Sequence, residues 1–220
     1  WPNATGDMYP MIARSLGTTN PGPRPSRISI SQIMYHPAVP EGVDEELFVE
    51  KDFEFIELYN ATSEAIPLDW YDYDGDGTKD ATETAPWKIT GGIDFAFPDS
   101  TTIGSYQTLL VVGFDPTDPV KLNAFEAYYG FQSLIPGVDI VGPFDGNLAN
   151  SGETIRLRRP DEPPAEEPLY TPYVIEDEVD YNDNPPWPAT ADGLGDALLR
   201  ISPVAWGNDS TNWTAAPPSF

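Results

Sequence analysis

Cysteine does not occur in this 220-residue chain, and histidine occurs once, at His36. The first absence excludes disulfides, thiolate metal sites and cysteine nucleophiles; the second excludes zinc centres built from clustered imidazoles. Positive charge is scarce, with 11 Lys and Arg against 36 Asp and Glu for a net charge of −25. Such a surface repels phosphates, which excludes nonspecific nucleic-acid binding and adsorption to anionic membranes. No apolar run approaches the ~18 residues that suggest a membrane-spanning helix. Long helices are excluded as well, because 25 prolines and 18 glycines punctuate the chain. What is present is a hydrophobic fraction of 40%, enough for a core, in short segments between turns. That pattern predicts an all-β domain.

Residues 1–26 read as a linker or as the end of a preceding module, with Thr18 to Ser26 rich in Pro and Gly. Trp1-Pro2-Asn3-Ala4-Thr5 echoes Trp187-Pro188-Ala189-Thr190-Ala191, either as the end of a preceding copy of the domain or as a chance match; the chain opens on Trp1 with no secretory leader, as expected of a processed product or a piece of a longer protein. Strands are predicted over Arg27 to Tyr35 with a bulge at Gln32, Phe53 to Tyr59, Ile66 to Trp70 and Trp87 to Thr90, with an acidic loop from Glu41 to Asp52. Ile93, Phe95 and Phe97 alternate with Asp94 and Ala96, a period of two. Thr108 to Val112 is continuously apolar, as in a strand covered on both faces. Further strands are expected over Val138 to Val141, Thr154 to Arg158, Val174 to Tyr181 and Ala197 to Ile201, with a solvated hairpin loop from Pro160 to Thr171. One helix is predicted: Asp118 caps it, Pro119 opens it, Gly130 ends it, and Leu122, Phe125 and Tyr129 form its apolar face, expected to plug one end of a sandwich.

Several strings carry a resemblance. They are Ile33-Met34-Tyr35-His36-Pro37, Phe55-Ile56-Glu57-Leu58-Tyr59-Asn60, Thr90-Gly91-Gly92-Ile93-Asp94-Phe95-Ala96-Phe97-Pro98, Asn147 to Leu157, Glu178-Val179-Asp180-Tyr181 and Trp206 to Trp213. In this order they resemble the lamin tail domain in its bacterial secreted form, over residues 27–215, leaving 216–220 as a C-terminal tail. The resemblance implies an immunoglobulin-like β-sandwich serving as an accessory module of a larger exported protein, and it supplies no catalytic residue. The chain departs from the family pattern by an insertion after Trp70 and by the long acidic loop at 160–172.

The insertion runs Asp72-Tyr73-Asp74-Gly75-Asp76-Gly77-Thr78-Lys79-Asp80-Ala81-Thr82-Glu83. Oxygen ligands at alternating positions converge on one cation when the loop curls around it. Asp72, Asp74 and Asp76 hold loop positions one, three and five, and Gly77 holds six, where the backbone must turn sharply. Thr78 offers its carbonyl from seven, Asp80 sits at nine, and Glu83 at twelve is placed for bidentate ligation. Crowded carboxylates repel without a counter-ion, and all-oxygen flexible coordination suits Ca²⁺ better than Mg²⁺. Lys79 at position eight, and prolines at 67 and 86, argue against a helix-flanked, paired EF-hand. The expectation is an isolated EF-hand-like calcium loop that pins the insertion to the sandwich.

Other residues carry less. His36 lacks a Gly-x-Ser-x-Gly partner motif, so it is read as structural. Glu54 and Glu57 point to opposite faces of a strand, which disfavours joint acid–base work. Asp180 to Asn184 is either a second cation site or an Asx-bonded turn, the turn being preferred. Trp70, Trp87 and Trp187 are candidate sugar platforms. The Asn-x-Ser/Thr sequons at Asn3, Asn60, Asn208 and Asn212 carry no inference. The expected function is a non-catalytic, calcium-stabilised module, extracellular or on the cell surface. Its partners would be other domains of the same polypeptide and a protein or polysaccharide ligand, with no nucleic acid and no membrane insertion. The alternative is a carboxylate-dependent, glycosidase-like hydrolase.

Overall fold

The computed structural model describes residues 25–38 and 48–220. Its elements are β1 (Ile28–Met34), β2 (Phe55–Asn60), β3 (Ile66–Pro67), β4 (Lys88–Thr90), β5 (Ile93–Ala96), β6 (Thr102–Ile103), β7 (Thr108–Val112), α1 (Pro119–Tyr129), β8 (Ile140–Val141), β9 (Asp145–Gly146), β10 (Gly152–Pro160), β11 (Tyr173–Asn182), β12 (Ala197–Arg200) and β13 (Trp213–Ala216). Most of the predicted acidic loop at Glu41 to Asp52, and the whole 1–24 segment, lie outside the described residues. Where that loop becomes described, Glu50–Phe53 forms a 3₁₀ turn.

Two sheets face each other. One has the order β13-β12-β1-β2-β7-β8, the other β11-β10-β4-β5-β9, with β3-β6 as a small ribbon. Alternate residues of each strand point between them. Ile30, Ile33, Ile56, Leu58, Leu109 and Val111 from the first sheet meet Ile89, Phe95, Ile155, Leu157 and Val179 from the second in one buried cluster. This is the expected all-β sandwich. Among the described residues, no helix is long and apolar enough to cross a membrane.

The other face of the larger sheet is also covered. Met34, Phe55, Leu110 and Val112 pack with Phe125, Leu122 and Tyr129 of α1 in a second cluster. The run at β7 is therefore apolar on both faces for the reason its composition suggests. The α1 caps are those read from the sequence: the Asp118 side chain accepts from the Val120 and Lys121 amides, and Gly130 takes the left-handed conformation at φ 75°. Its position differs from the expectation, because α1 lies on the outer face of the larger sheet and not across an end of the sandwich. Periodicity shows which side of a helix is apolar, not what covers it.

The register of β1 against β2 slips between Ile30 and Gln32, so the bulge falls at Ser31, one residue before the predicted position. Beyond it, β12 pairs with Gln32 and Ile33 only. The first half of β1 therefore has an edge without a strand, and side chains of β11 close it. Asp177 Oδ2 accepts the Ile30 amide at 2.8 Å and Glu176 Oε1 accepts the Arg27 amide at 2.7 Å. Arg200 donates to the Ile30 carbonyl at 3.0 Å and pairs with Asp177, both side chains being 1% exposed. Glu178 pairs with Arg156 at 2.7 Å, and Glu176 with Arg159 at 3.3 Å. These backbone groups would otherwise be buried without partners, at about 1–3 kcal/mol each.

Candidate metal centre

The insertion leaves the sandwich between β3 and β4 through a narrow neck. The Trp87 amide donates to the Leu68 carbonyl at 2.8 Å, and the Trp87 indole donates to the Trp70 carbonyl at 3.2 Å. Residues between these points thus form a closed loop on a fixed base. The Pro67 and Pro86 flanks carry no helix, as expected.

Within the loop, carboxylates organise the backbone. Asp72 accepts the Gly75 amide at 2.6 Å on one oxygen and the Gly77 amide at 3.0 Å on the other. Gly75 and Gly77 both sit at φ 79°, a left-handed conformation that L side chains resist. Asp74 accepts the Asp76 amide at 3.0 Å, and Asp76 accepts both the amide and the hydroxyl of Thr78 at 2.7 Å. Asp80 accepts the amide of Thr82 at 2.6 Å and its hydroxyl at 2.7 Å, and these bonds hold its carboxyl below the usual range. Glu83 is the buried member at 2% exposure. One of its oxygens accepts the Tyr73 amide at 2.6 Å and the other the Asp80 amide at 3.3 Å, tying the start of the loop to its end.

The result is convergence of the first three expected ligands. One carboxylate oxygen from each of Asp72, Asp74 and Asp76 lies within 4.8 Å of the others. Two oxygens on the same Ca²⁺, each about 2.3–2.6 Å away, can be up to about 5 Å apart, so the trio fits one ion. Asp80 and Glu83 do not join that group; they brace the loop through backbone amides, and Thr78 spends its amide and hydroxyl on Asp76. Each oxygen of Glu83 accepts a single N–H and so retains a second lone pair. The one lysine of the insertion does not neutralise the trio. Lys79 Nζ bonds Asp69 at 2.9 Å. Burial pushes the Asp69 carboxyl up, but the Lys79 ammonium and the Ser100 amide outweigh it and leave it below its ordinary value.

Sequence reading did not anticipate that the β10–β11 connection faces this loop. Glu162, Pro163, Pro164 and Leu169 stand across an open groove of about 540 Å³ from Tyr73, Asp74, Asp80 and Glu83. The available signal was composition: 72–83 is rich in Asp and Gly, and 160–171 is rich in Pro and Glu.

The remaining candidates resolve as follows. His36 Nδ1 is 2.6 Å from Asp192 Oδ1, and its Nε2 is 4.0 Å from Glu50, so carboxylates and not a hydroxyl flank the ring. Burial raises the Glu54 carboxyl to about 7, opposed by the Leu148 amide it accepts, and raises Glu57 to about 6, opposed by the Ser31 hydroxyl. Glu54 shares its side of β2 with the core residues Ile56 and Leu58, whereas Glu57 bonds Ser31 on the other side. Asp180 to Asn182 are the last residues of β11, and the Asx-bonded turn begins after them: Asn182 accepts the Asn184 amide and Asp183 the Asn184 side chain. Trp87 and Trp187 are buried, so they are core and not platforms. The Asn60 side chain is 0% exposed and donates to the Glu64, Ile103 and Gly104 carbonyls. No known protein family, no curated protein and no solved structure matches the chain.

Proposed function

We propose that this chain is a non-catalytic, calcium-stabilised contact or spacer module of a larger exported protein, an immunoglobulin-like sandwich of the lamin-tail type. The observation that carries the reading is the Asp72–Asp74–Asp76 trio, one oxygen from each within 4.8 Å of the others and the one lysine of the insertion committed to Asp69. Oxygen-only donors of this charge select a hard dication, and glycines at the turns let the loop curl without strain. Asp80, Glu83 and the Thr78 carbonyl complete the proposed ligand set. Glu83 then has two tasks, bracing the loop and closing the coordination shell. Free calcium is abundant outside cells, which supports an extracellular or cell-surface setting. The partners proposed are neighbouring domains of the same polypeptide and a protein or polysaccharide ligand.

A carboxylate-dependent hydrolase is the competing reading. It needs two carboxyl groups facing one bond, about 5–9.5 Å apart. Burial pushes Glu54, Glu57 and Asp177 toward neutrality; Glu54 and Glu57 serve opposite faces of β2, and Asp177 is buried against Arg200, which favours the non-catalytic reading. Calorimetric titration with CaCl₂ of metal-stripped wild type and of Asp72→Ala tests the proposal. Wild type is expected to bind one ion and the variant to lose that binding; equal heats for both would refute it.

A further inference from the structure

The groove beside the calcium loop has a composition unlike a solvated acidic turn. Its far wall is apolar: Pro163, Pro164 and Pro168 line it, and Leu169, fully exposed at its lip, is followed by the half-exposed Tyr170. Prolines carry no N–H, so this wall offers carbonyl acceptors and few donors. The near wall adds the carboxylates of Asp74, Asp80 and Glu83, and Glu162 faces them. Among the described residues, no Lys, Arg or His lines the groove. A dication at the trio leaves the lining net negative.

An acceptor-rich, apolar-walled, negatively charged groove matches one chemistry: ammonium or guanidinium donors alternating with apolar side chains. We propose that the groove between the calcium loop and the β10–β11 connection docks an extended peptide segment of a partner protein bearing Arg or Lys beside Leu-like residues. The volume, about 540 Å³, is within the range of sites that enclose a few residues. The charge steers the segment in, and the prolines and Leu169 supply the apolar contact. This inference rests on the reading of the domain as a contact module and specifies its partner.

The test is an amide-resolved NMR titration of the full chain at physiological salt and millimolar calcium. The probe is an eight-residue peptide with arginines alternating with leucines; an oligosaccharide is titrated separately. Shifts confined to residues 73–84 and 161–171 are expected with the peptide. Glu162→Gln is expected to weaken binding about fivefold, the factor one partly screened ion pair carries. Glu64→Gln removes the same charge at an exposed position outside the groove and is expected to leave binding unchanged. Equal weakening by both variants, shifts scattered over the surface, or groove shifts with the oligosaccharide alone would overturn the proposal. Calcium binding is read separately by calorimetry. A chain that binds calcium and not the peptide loses this inference alone; one that binds the peptide in the groove without calcium loses the metal reading alone.

Discussion

Two acidic stretches of this molecule solve the same problem in opposite ways. In β11, Glu176, Asp177 and Glu178 are buried, and each faces an arginine: Arg159, Arg200 and Arg156. In the insertion, Asp72, Asp74 and Asp76 converge with backbone amides and a threonine hydroxyl as their hydrogen-bond partners. The chain has 11 basic residues and commits three to a strand whose charges replace a missing β-ladder. The comparison teaches that negative charge here is neutralised from within where it holds the sheets together. Where it forms the loop, the trio is held by backbone amides and a hydroxyl, and its neutralisation falls to the proposed calcium.

The largest effect should come from breaking the internal pairing. Arg200→Met strands Asp177 without its partner at 1% exposure; a loss of about 3–5 kcal/mol in urea-monitored stability is expected. Adding Asp177→Leu should recover part of that loss, because a buried pair removed whole costs less than one broken. Full recovery would mean the Ile30 amide needs no acceptor.

Next in size is the external neutralisation. At a hundredfold excess over Kd, calcium should add about 2.7 kcal/mol, seen as a higher melting temperature than in EGTA. Asp74→Asn should abolish that gain and change little in EGTA. Glu83→Gln should destabilise in EGTA as well, since its amide group would meet the amides of Tyr73 or Asp80. If the two variants behave alike in EGTA, the loop is not braced independently of the metal.

A smaller effect separates both acidic stretches from a third class, buried carboxylates without a cation. Glu54 and Glu57 are raised to about 7 and about 6. The folded state then holds their protons more tightly than the unfolded chain, so their contribution is complete below about pH 4.5 and is lost as pH rises through 6 to 7. A decline on the order of 2 kcal/mol across that window is expected, and Glu54→Gln should remove the larger part of the slope. The smallest effect is local: Asp118→Ala should cost about 1 kcal/mol by uncapping α1, at any calcium concentration.

Much of this was legible in the sequence because its causes are local. The alternation at Ile93 to Phe97, the caps of α1 and the Asp spacing of the loop are short-range patterns with short-range reasons. What was not legible depends on distant partners. Nothing near Ile30 indicates that Asp177 and Arg200 will hold its peptide groups. Trp87 stands beside a loop in sequence and in the core in space. The short strands β6, β9 and β13 carry too few residues for a period to show. Glu83 and Asp80 were read as ligands from position alone, whereas their amide bonds depend on how the loop closes.

One consequence concerns force. Since β1 and β13 are both antiparallel to the intervening β12, they run in the same direction, and the chain enters and leaves the larger sheet at opposite ends. Tension along the polypeptide therefore loads the short β1–β12 and the β12–β13 ladders in shear, and not one bond at a time as in unzipping. The Asp177–Arg200 clamp on Ile30 adds a side-chain bolt at the loaded end.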